Sequence, residues 1–87
     1  MKDDFWYVYI LRCSDGSFYT GITNNVEERV REHNGGSGAA YTRERTPVSL
    51  VYKERHDNQA LAQQREEQIK RWGRQKKENL VLGSPRL

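Results

Sequence analysis

The stretch from Trp6 to Arg29 constrains this chain more than any other. Trp6-Tyr7-Val8-Tyr9-Ile10-Leu11 and Phe18-Tyr19-Thr20-Gly21-Ile22-Thr23 are strand-length runs of aromatic and β-branched residues, and Ser14-Asp15-Gly16-Ser17 lies between them. Those four residues tolerate turn geometry or bond their own backbone, so the segment predicts a β-hairpin. Both alternating sets of the first run are apolar, Phe5, Tyr7, Tyr9 and Leu11 against Trp6, Val8 and Ile10. A strand of that kind is covered on both faces, which places it at the centre of its sheet. The hairpin brings Tyr9 and Tyr19 near one another, close to the start of a helix that carries Arg29 and His33. Two phenols, a guanidinium and an imidazole so placed suit phosphate chemistry.

Thr23-Asn24-Asn25 supplies capping side chains for that helix, and Val26, Val30 and His33 fall one turn apart along it. Its end is expected at Asn34-Gly35, with Gly35 in a left-handed cap. Arg29 neighbours Val26 and His33 and so sits at the edge of the buried stripe, able to reach back to the hairpin. Gly35 to Pro47 has no periodicity and reads as a long loop, whose Tyr41, Thr42, Arg43 and Arg45 suit phosphate contacts and plain solvent equally. A third strand is expected from Val48 to Glu54. A helix over about Gln59 to Trp72 follows, with Leu61, Gln68, Ile69 and Trp72 on its apolar side, and Gly73 separates it from a short helix, Arg74 to Leu82, anchored by Leu80. The expectation is an α+β fold, a small three-stranded antiparallel sheet flanked by helices in β-β-α-β-α-α order. One domain over residues 1–83 and a flexible tail over 84–87 complete it.

Composition narrows the function classes. With 31% charged residues and a mean hydropathy of −1.04, no apolar run approaches the roughly eighteen residues of a membrane-spanning helix. Nor does the start, Met1-Lys2-Asp3-Asp4, lead into a secretory cleavage site, so a cytoplasmic protein is expected. Cys13 is the one cysteine, which excludes an internal disulfide; the two histidines lie far from it, so no zinc-ligand spacing arises. Cys13 reads as a small residue at a strand end. The net charge is +3, and Arg43, Arg45, Arg65, Lys70, Arg71, Arg74, Lys76 and Lys77 all lie from the middle of the chain onward, which favours a polyanionic partner.

Tyr7-Val8-Tyr9, Tyr19-Thr20-Gly21, Arg29, His33 and a glutamate in a later helix together resemble the GIY-YIG nuclease superfamily, whose name records two short strand motifs. The resemblance covers nearly the whole chain. It is closest to the small, single-domain bacterial members of the UPF0213-like group, through Tyr19-Thr20-Gly21-Ile22-Thr23, the Gly-rich loop with Tyr41-Thr42-Arg43, and the segment from Glu66 to Lys70. The resemblance implies that Tyr9 and Tyr19 are the two motif tyrosines, Gly21 the motif glycine, Arg29 the helix arginine and His33 the position one turn on. It implies that Glu66 binds a single Mg²⁺ or Mn²⁺ ion, and that the protein is a metal-dependent endonuclease acting on DNA, branched or damaged, in a repair setting. Tyr7 stands where the family name has glycine. Ile22 stands where some relatives carry lysine, so a phosphate contact there falls to Arg43, Arg45 or Lys70.

The chemistry is coherent with those side chains. A cation on Glu66 would stabilise the leaving oxygen, Arg29 would hold a non-bridging oxygen with its planar fork, and either Tyr9 or Tyr19 would take or position the proton of the attacking water, assisted by His33. Glu67 competes with Glu66 for the metal role, but the two point about 100° apart around the helix and only one can face the sheet. Gly21, Thr23, Tyr41, Arg43, Arg45, Lys70, Arg71 and Arg74 form the expected nucleic-acid surface. Two rival readings share that surface: a nucleic-acid-binding module with weak or lost catalysis, and an interaction domain that relies on a protein partner for targeting.

Overall fold

The computed structural model describes residues 5–83. The expected tail, 84–87, lies outside the described residues. The element order is β1 (Trp6–Arg12), β2 (Phe18–Thr23), α1 (Val26–Asn34), α2 (Ala40–Arg43), β3 (Ser49–His56), α3 (Gln59–Lys70) and α4 (Arg74–Leu82). The three strands form one antiparallel sheet in the order β2-β1-β3. The doubly apolar strand is therefore central, as its two alternating sets require.

Those two sets feed two packed layers. Val8 and Ile10 face Ala62 and Ile69 of α3, with Tyr52, Phe18, Ile22 and Trp72 around them. Tyr9 and Leu11 face the opposite way, with Cys13, Val48, Val30, Leu50 and Tyr19. The pairing of β1 with β3 slips between Ile10 and Leu11, where Ile10 opposes Tyr52 and Leu11 opposes Leu50. The extra residue, Val51, keeps Tyr52 on the α3 side and Leu50 on the other.

Local chemistry sets the boundaries. In the β1–β2 turn the Asp15 carboxylate accepts from the Ser17 amide at 3.0 Å and its hydroxyl at 2.6 Å, and Gly16 takes φ 84°. Asn25 and Asn58 cap α1 and α3, accepting from the amides of Glu28 and Leu61. The end of α1 departs from the expected form: Gly35 stays right-handed at φ −82°, and Gly36 takes the left-handed conformation at φ 86°. The side chain of Asn34 is consequently free to act as a short strand, accepting from the Val48 amide at 2.7 Å and donating to its carbonyl at 3.1 Å.

Two further expectations are corrected. The segment from Gly35 to Pro47 is not structureless, because Ala40–Arg43 closes into the single helical turn α2. Four residues are too few to leave a periodic signal. On α3, Leu61 is 43% exposed while Ala62 and Ile69 are fully buried. The helix is turned so that the smaller residue meets the sheet, which lets it approach closely and brings Glu66 inward.

Candidate active site

Tyr9 projects from β1 on the α1 side, directly opposite Gly21 of β2. A Cβ at position 21 would stand 2.6 Å from the Tyr9 hydroxyl oxygen, so the phenol lies across β2 only because that residue is glycine. Across the phenol, His33 Nε2 is 2.8 Å from the hydroxyl, and His33 Nδ1 is 2.7 Å from Thr42 Oγ1. Gly38 packs against the imidazole so tightly that a side chain there would overlap the ring.

The hydrogen-bond directions follow from proton counting. The Thr42 hydroxyl has one proton and donates it to the Ala39 carbonyl at 2.9 Å, so toward His33 it accepts. His33 therefore carries its proton on Nδ1, Nε2 is bare, and the Tyr9 hydroxyl donates to it. Tyr9, His33 and Thr42 are all buried, at 1%, 0% and 0% exposure, so each of these bonds is shielded from water. Burial pushes the His33 imidazolium down from its ordinary 6.5, and the nearby Arg29 cation lowers it further against the pull of Glu32. The ring is neutral, as the donor–acceptor order needs. Burial likewise pushes the Tyr9 phenol up to about 12; Arg29 opposes the rise, whereas Tyr19 and the Glu66 carboxylate add to it.

Arg29 stands at the open side of this group. Its Nη1 is 2.9 Å from Glu32 Oε1, an ion pair that chiefly accounts for its raised pKa, with burial opposing and the Tyr9 phenol adding. It lines a cleft of about 160 Å³ with Thr23, Asn24, Asn25, Glu28 and Glu32. Thr23 Oγ1 accepts from the Asn25 amide at 3.1 Å and so shapes that cleft from the cap of α1.

Because β2 is an edge strand, side chains from the α3 layer reach the same region. Lys70 Nζ lies 5.9 Å from the Tyr19 ring centre and 3.5 Å from Glu66 Oε2. The Glu66 side chain is only 16% exposed and Glu67 is exposed, so it is Glu66 that faces inward. Tyr19 is half-buried between the two layers, with ring centres 6.4 Å from Tyr9, 5.1 Å from His33 and 6.2 Å from Tyr41. The two phenols thus differ: Tyr9 is sealed from water, whereas Tyr19 is half-buried and partly open to it.

Among the other expected contact residues, Arg43 and Arg71 are exposed and Tyr41 is 39% exposed. Arg45 and Arg74 are engaged within the chain. Arg45 bonds Asp15 at 3.2 Å and the Tyr41 carbonyl at 2.7 Å, and its guanidinium lies 4.0 Å from the Tyr41 ring centre. Arg74 bonds Glu78 at 2.9 Å and the Gly16 carbonyl at 2.7 Å and covers Phe18 at 4.2 Å. Sequence reasoning missed Thr42 as the partner of His33. The available signal was Gly38, a glycine with positional meaning only if something packs on it.

A divalent cation is general among GIY-YIG nucleases, and the residues present decide whether one fits. Among the described residues no three His, Cys, Asp or Glu side chains gather into a ligand set, which rules out a closed zinc-type site there. A single inward carboxylate fits a hard cation that keeps most of its waters.

A family model described as the GIY-YIG catalytic domain matches residues 5–79. The chain is 59% identical over 75 residues to a UPF0213 protein of Natronomonas pharaonis, covering 86% of this chain and 88% of the relative. It is 55% identical over 75 residues to one from Clostridium perfringens, covering 86% and 81%. Among solved structures, the UPF0213 protein of Bacillus halodurans is 45% identical with a TM-score of 0.58, covering 88% of this chain and 82% of that one. An E. faecalis protein is 39% identical with a TM-score of 0.62, covering 90% and 83%.

Proposed function

Because this chain belongs to the GIY-YIG family, a nuclease family in general, we propose that it is a metal-dependent endonuclease that hydrolyses phosphodiester bonds of DNA. The observation that carries the reading is the directed pair of buried hydrogen bonds from Tyr9 to His33 and from His33 to Thr42, beside Arg29 and within electrostatic reach of Glu66. A fold needs no such order merely to bind a polyanion.

A phenol pushed up to about 12 is not an anion at neutral pH, so Tyr9 does not act as a standing phenolate. It acts as a relay: as its oxygen takes the proton of the attacking water, its own proton passes to His33 Nε2. The resulting imidazolium keeps its Nδ1 proton on Thr42 and later returns one proton to solvent. The water reaches Tyr9 past Arg29, which exchanges Glu32 for a non-bridging phosphoryl oxygen and so uncovers the phenol. Tyr19, half-buried in front of Tyr9, positions the water. Glu66 would hold the Mg²⁺ or Mn²⁺ ion, which when bound supplies Lewis-acid stabilisation of the leaving oxygen.

The test is cleavage of plasmid, linear, flap and four-way-junction DNAs with Mg²⁺ or Mn²⁺. The wild type is expected to cut at least one form, the branched flap and junction DNAs above all, and Glu66→Ala to abolish cutting while leaving DNA binding intact or tighter. Should the purified wild type cut none of them yet bind DNA with a steep salt dependence, the chain is a binding module and the hydrolytic reading is wrong.

A further inference from the structure

A second cleft, about 250 Å³, is lined by Phe18, Tyr19, Thr20, Tyr41, Lys70 and Lys77. It draws two ammonium groups from two different helices toward one strand. Its floor holds an anomaly. Thr20 is 4% exposed, and its hydroxyl is the one buried side-chain polar atom without a hydrogen-bond partner among the described residues. A strand interior position of this kind normally carries valine, whose shape is the same and which leaves no donor unpaired. The orphaned donor belongs to a residue that lines the same cleft as the two lysines, and because its oxygen is closed to solvent an acceptor meets it only when the side chains around it shift.

The nearby cations are not committed elsewhere in a way that would quench it. Lys70 is half-exposed and paired at 3.5 Å with Glu66, the carboxylate proposed to turn to a cation, and Lys77 is half-buried at the cleft wall. Arg74 covers Phe18, with its charge paired to Glu78.

We propose that this cleft is a subsite for a second, uncut phosphodiester group of the substrate, held by the Lys70 and Lys77 ammonium groups and the Thr20 hydroxyl. The inference rests on the nucleic-acid reading above and deepens it. The substrate strand then runs across Tyr19, with its scissile phosphate at Arg29 and a neighbouring phosphate in this cleft. Binding to two fixed phosphates positions the strand without reading any base.

The test measures binding of a short labelled DNA strand by fluorescence anisotropy in EDTA, where no cutting occurs, over a range of salt. Lys77→Ala is expected to weaken binding and to reduce the salt slope by about 0.7 for a single strand. Thr20→Val is expected to weaken binding while raising the Tm, because it removes an unpaired donor from the interior. Replacing single linkages of the strand by neutral methylphosphonate should identify one position, other than the linkage cut, whose neutralisation costs the wild type more affinity than it costs Lys77→Ala, which retains Lys70 and Thr20 at the site. The subsite is refuted if Lys77→Ala binds with the wild-type salt slope, if Thr20→Val lowers the Tm, or if the methylphosphonate losses are the same in both proteins. Failure of the nuclease reading is separate, since it appears as absent cutting or as Glu66-independent cutting by the wild-type surface.

Discussion

Thr42→Val isolates the part of the site that orders protons. Valine keeps the shape of threonine and removes the acceptor 2.7 Å from His33 Nδ1, at a position with no exposure to water. If His33 keeps its proton on Nδ1, a buried N–H is left unpaired at a cost of about 1–3 kcal/mol. If the ring shifts the proton to Nε2 instead, that N–H points at the Tyr9 hydroxyl 2.8 Å away, and the phenol must turn its own proton toward the Arg29 cation. In the second state Tyr9 loses its proton acceptor; in the first it keeps Nε2, but the imidazolium formed on taking the proton has an unpaired Nδ1–H, so the transfer becomes costlier. A lost general base of this type lowers rates by about 10²- to 10⁴-fold, and that is the fall expected in single-turnover cutting, with DNA affinity unchanged. The ¹⁵N resonances of the His33 ring report the tautomer directly: in the wild type Nδ1 is the protonated nitrogen, and in the variant that distinction is lost. Thr42→Ser should restore both the rate and the ¹⁵N pattern. A valine variant that cuts as fast as the wild type, with its ring nitrogens unchanged, would refute the relay.

Other outcomes follow from the same geometry. Gly21→Ala drives a Cβ to 2.6 Å from the Tyr9 oxygen, so it should displace the phenol, lower stability by about 1–3 kcal/mol in a denaturant melt and eliminate cutting. His33 is depressed below its unfolded value of 6.5, so its neutral burial contributes stability that is present above pH 6.5 and is lost as pH falls through the folded pKa; urea midpoints should drop over that acid window in the wild type and less in His33→Gln. On β3 the Tyr52 hydroxyl, His56 Nε2 at 2.6 Å and Arg65 Nε at 3.0 Å converge on the Glu54 carboxylate, and together they outweigh its burial and hold its pKa below the ordinary range. Glu54→Leu should therefore lower the Tm without changing the rate of cutting per folded molecule, since it strands three donors and touches no residue of the relay.

Much of the scaffold was legible because its signals are local. Both apolar sets of β1, the Asp15-Gly16 turn and the Asn25 and Asn58 caps each act over a few residues, and they suffice for a three-stranded sheet with the right central strand. The convergence of Tyr9, Tyr19, Arg29 and His33 was legible for the same reason, since a hairpin and the helix after it bring them together. The orientation of α3 was not. Ala62 rather than Leu61 meets the sheet, a choice made by close packing between layers and invisible to hydropathy. Nor was the role of Thr42, because α2 is too short to announce itself and its hydroxyl acquires meaning only once His33 is buried beside it.

The edge position of β2 ties these pieces together. A central strand would be covered on both faces and would keep the two helical layers apart, whereas an edge strand lets the α1–α2 layer and the α3 layer meet around it. One layer delivers a neutral imidazole and its hydroxyl support; the other delivers a carboxylate and an ammonium. Tyr19 occupies the seam, 5.1 Å from the His33 ring and 5.9 Å from Lys70. The two proposed roles have opposite requirements a few ångströms apart: the proposed relay needs dryness to keep His33 neutral, and a cation that Glu66 would hold needs water to complete its coordination. The glycine at position 21 is the hinge of that arrangement. By letting the Tyr9 phenol lie across β2, it carries one polar atom from the dry layer toward the edge at which the proposed hydrolysis would take place.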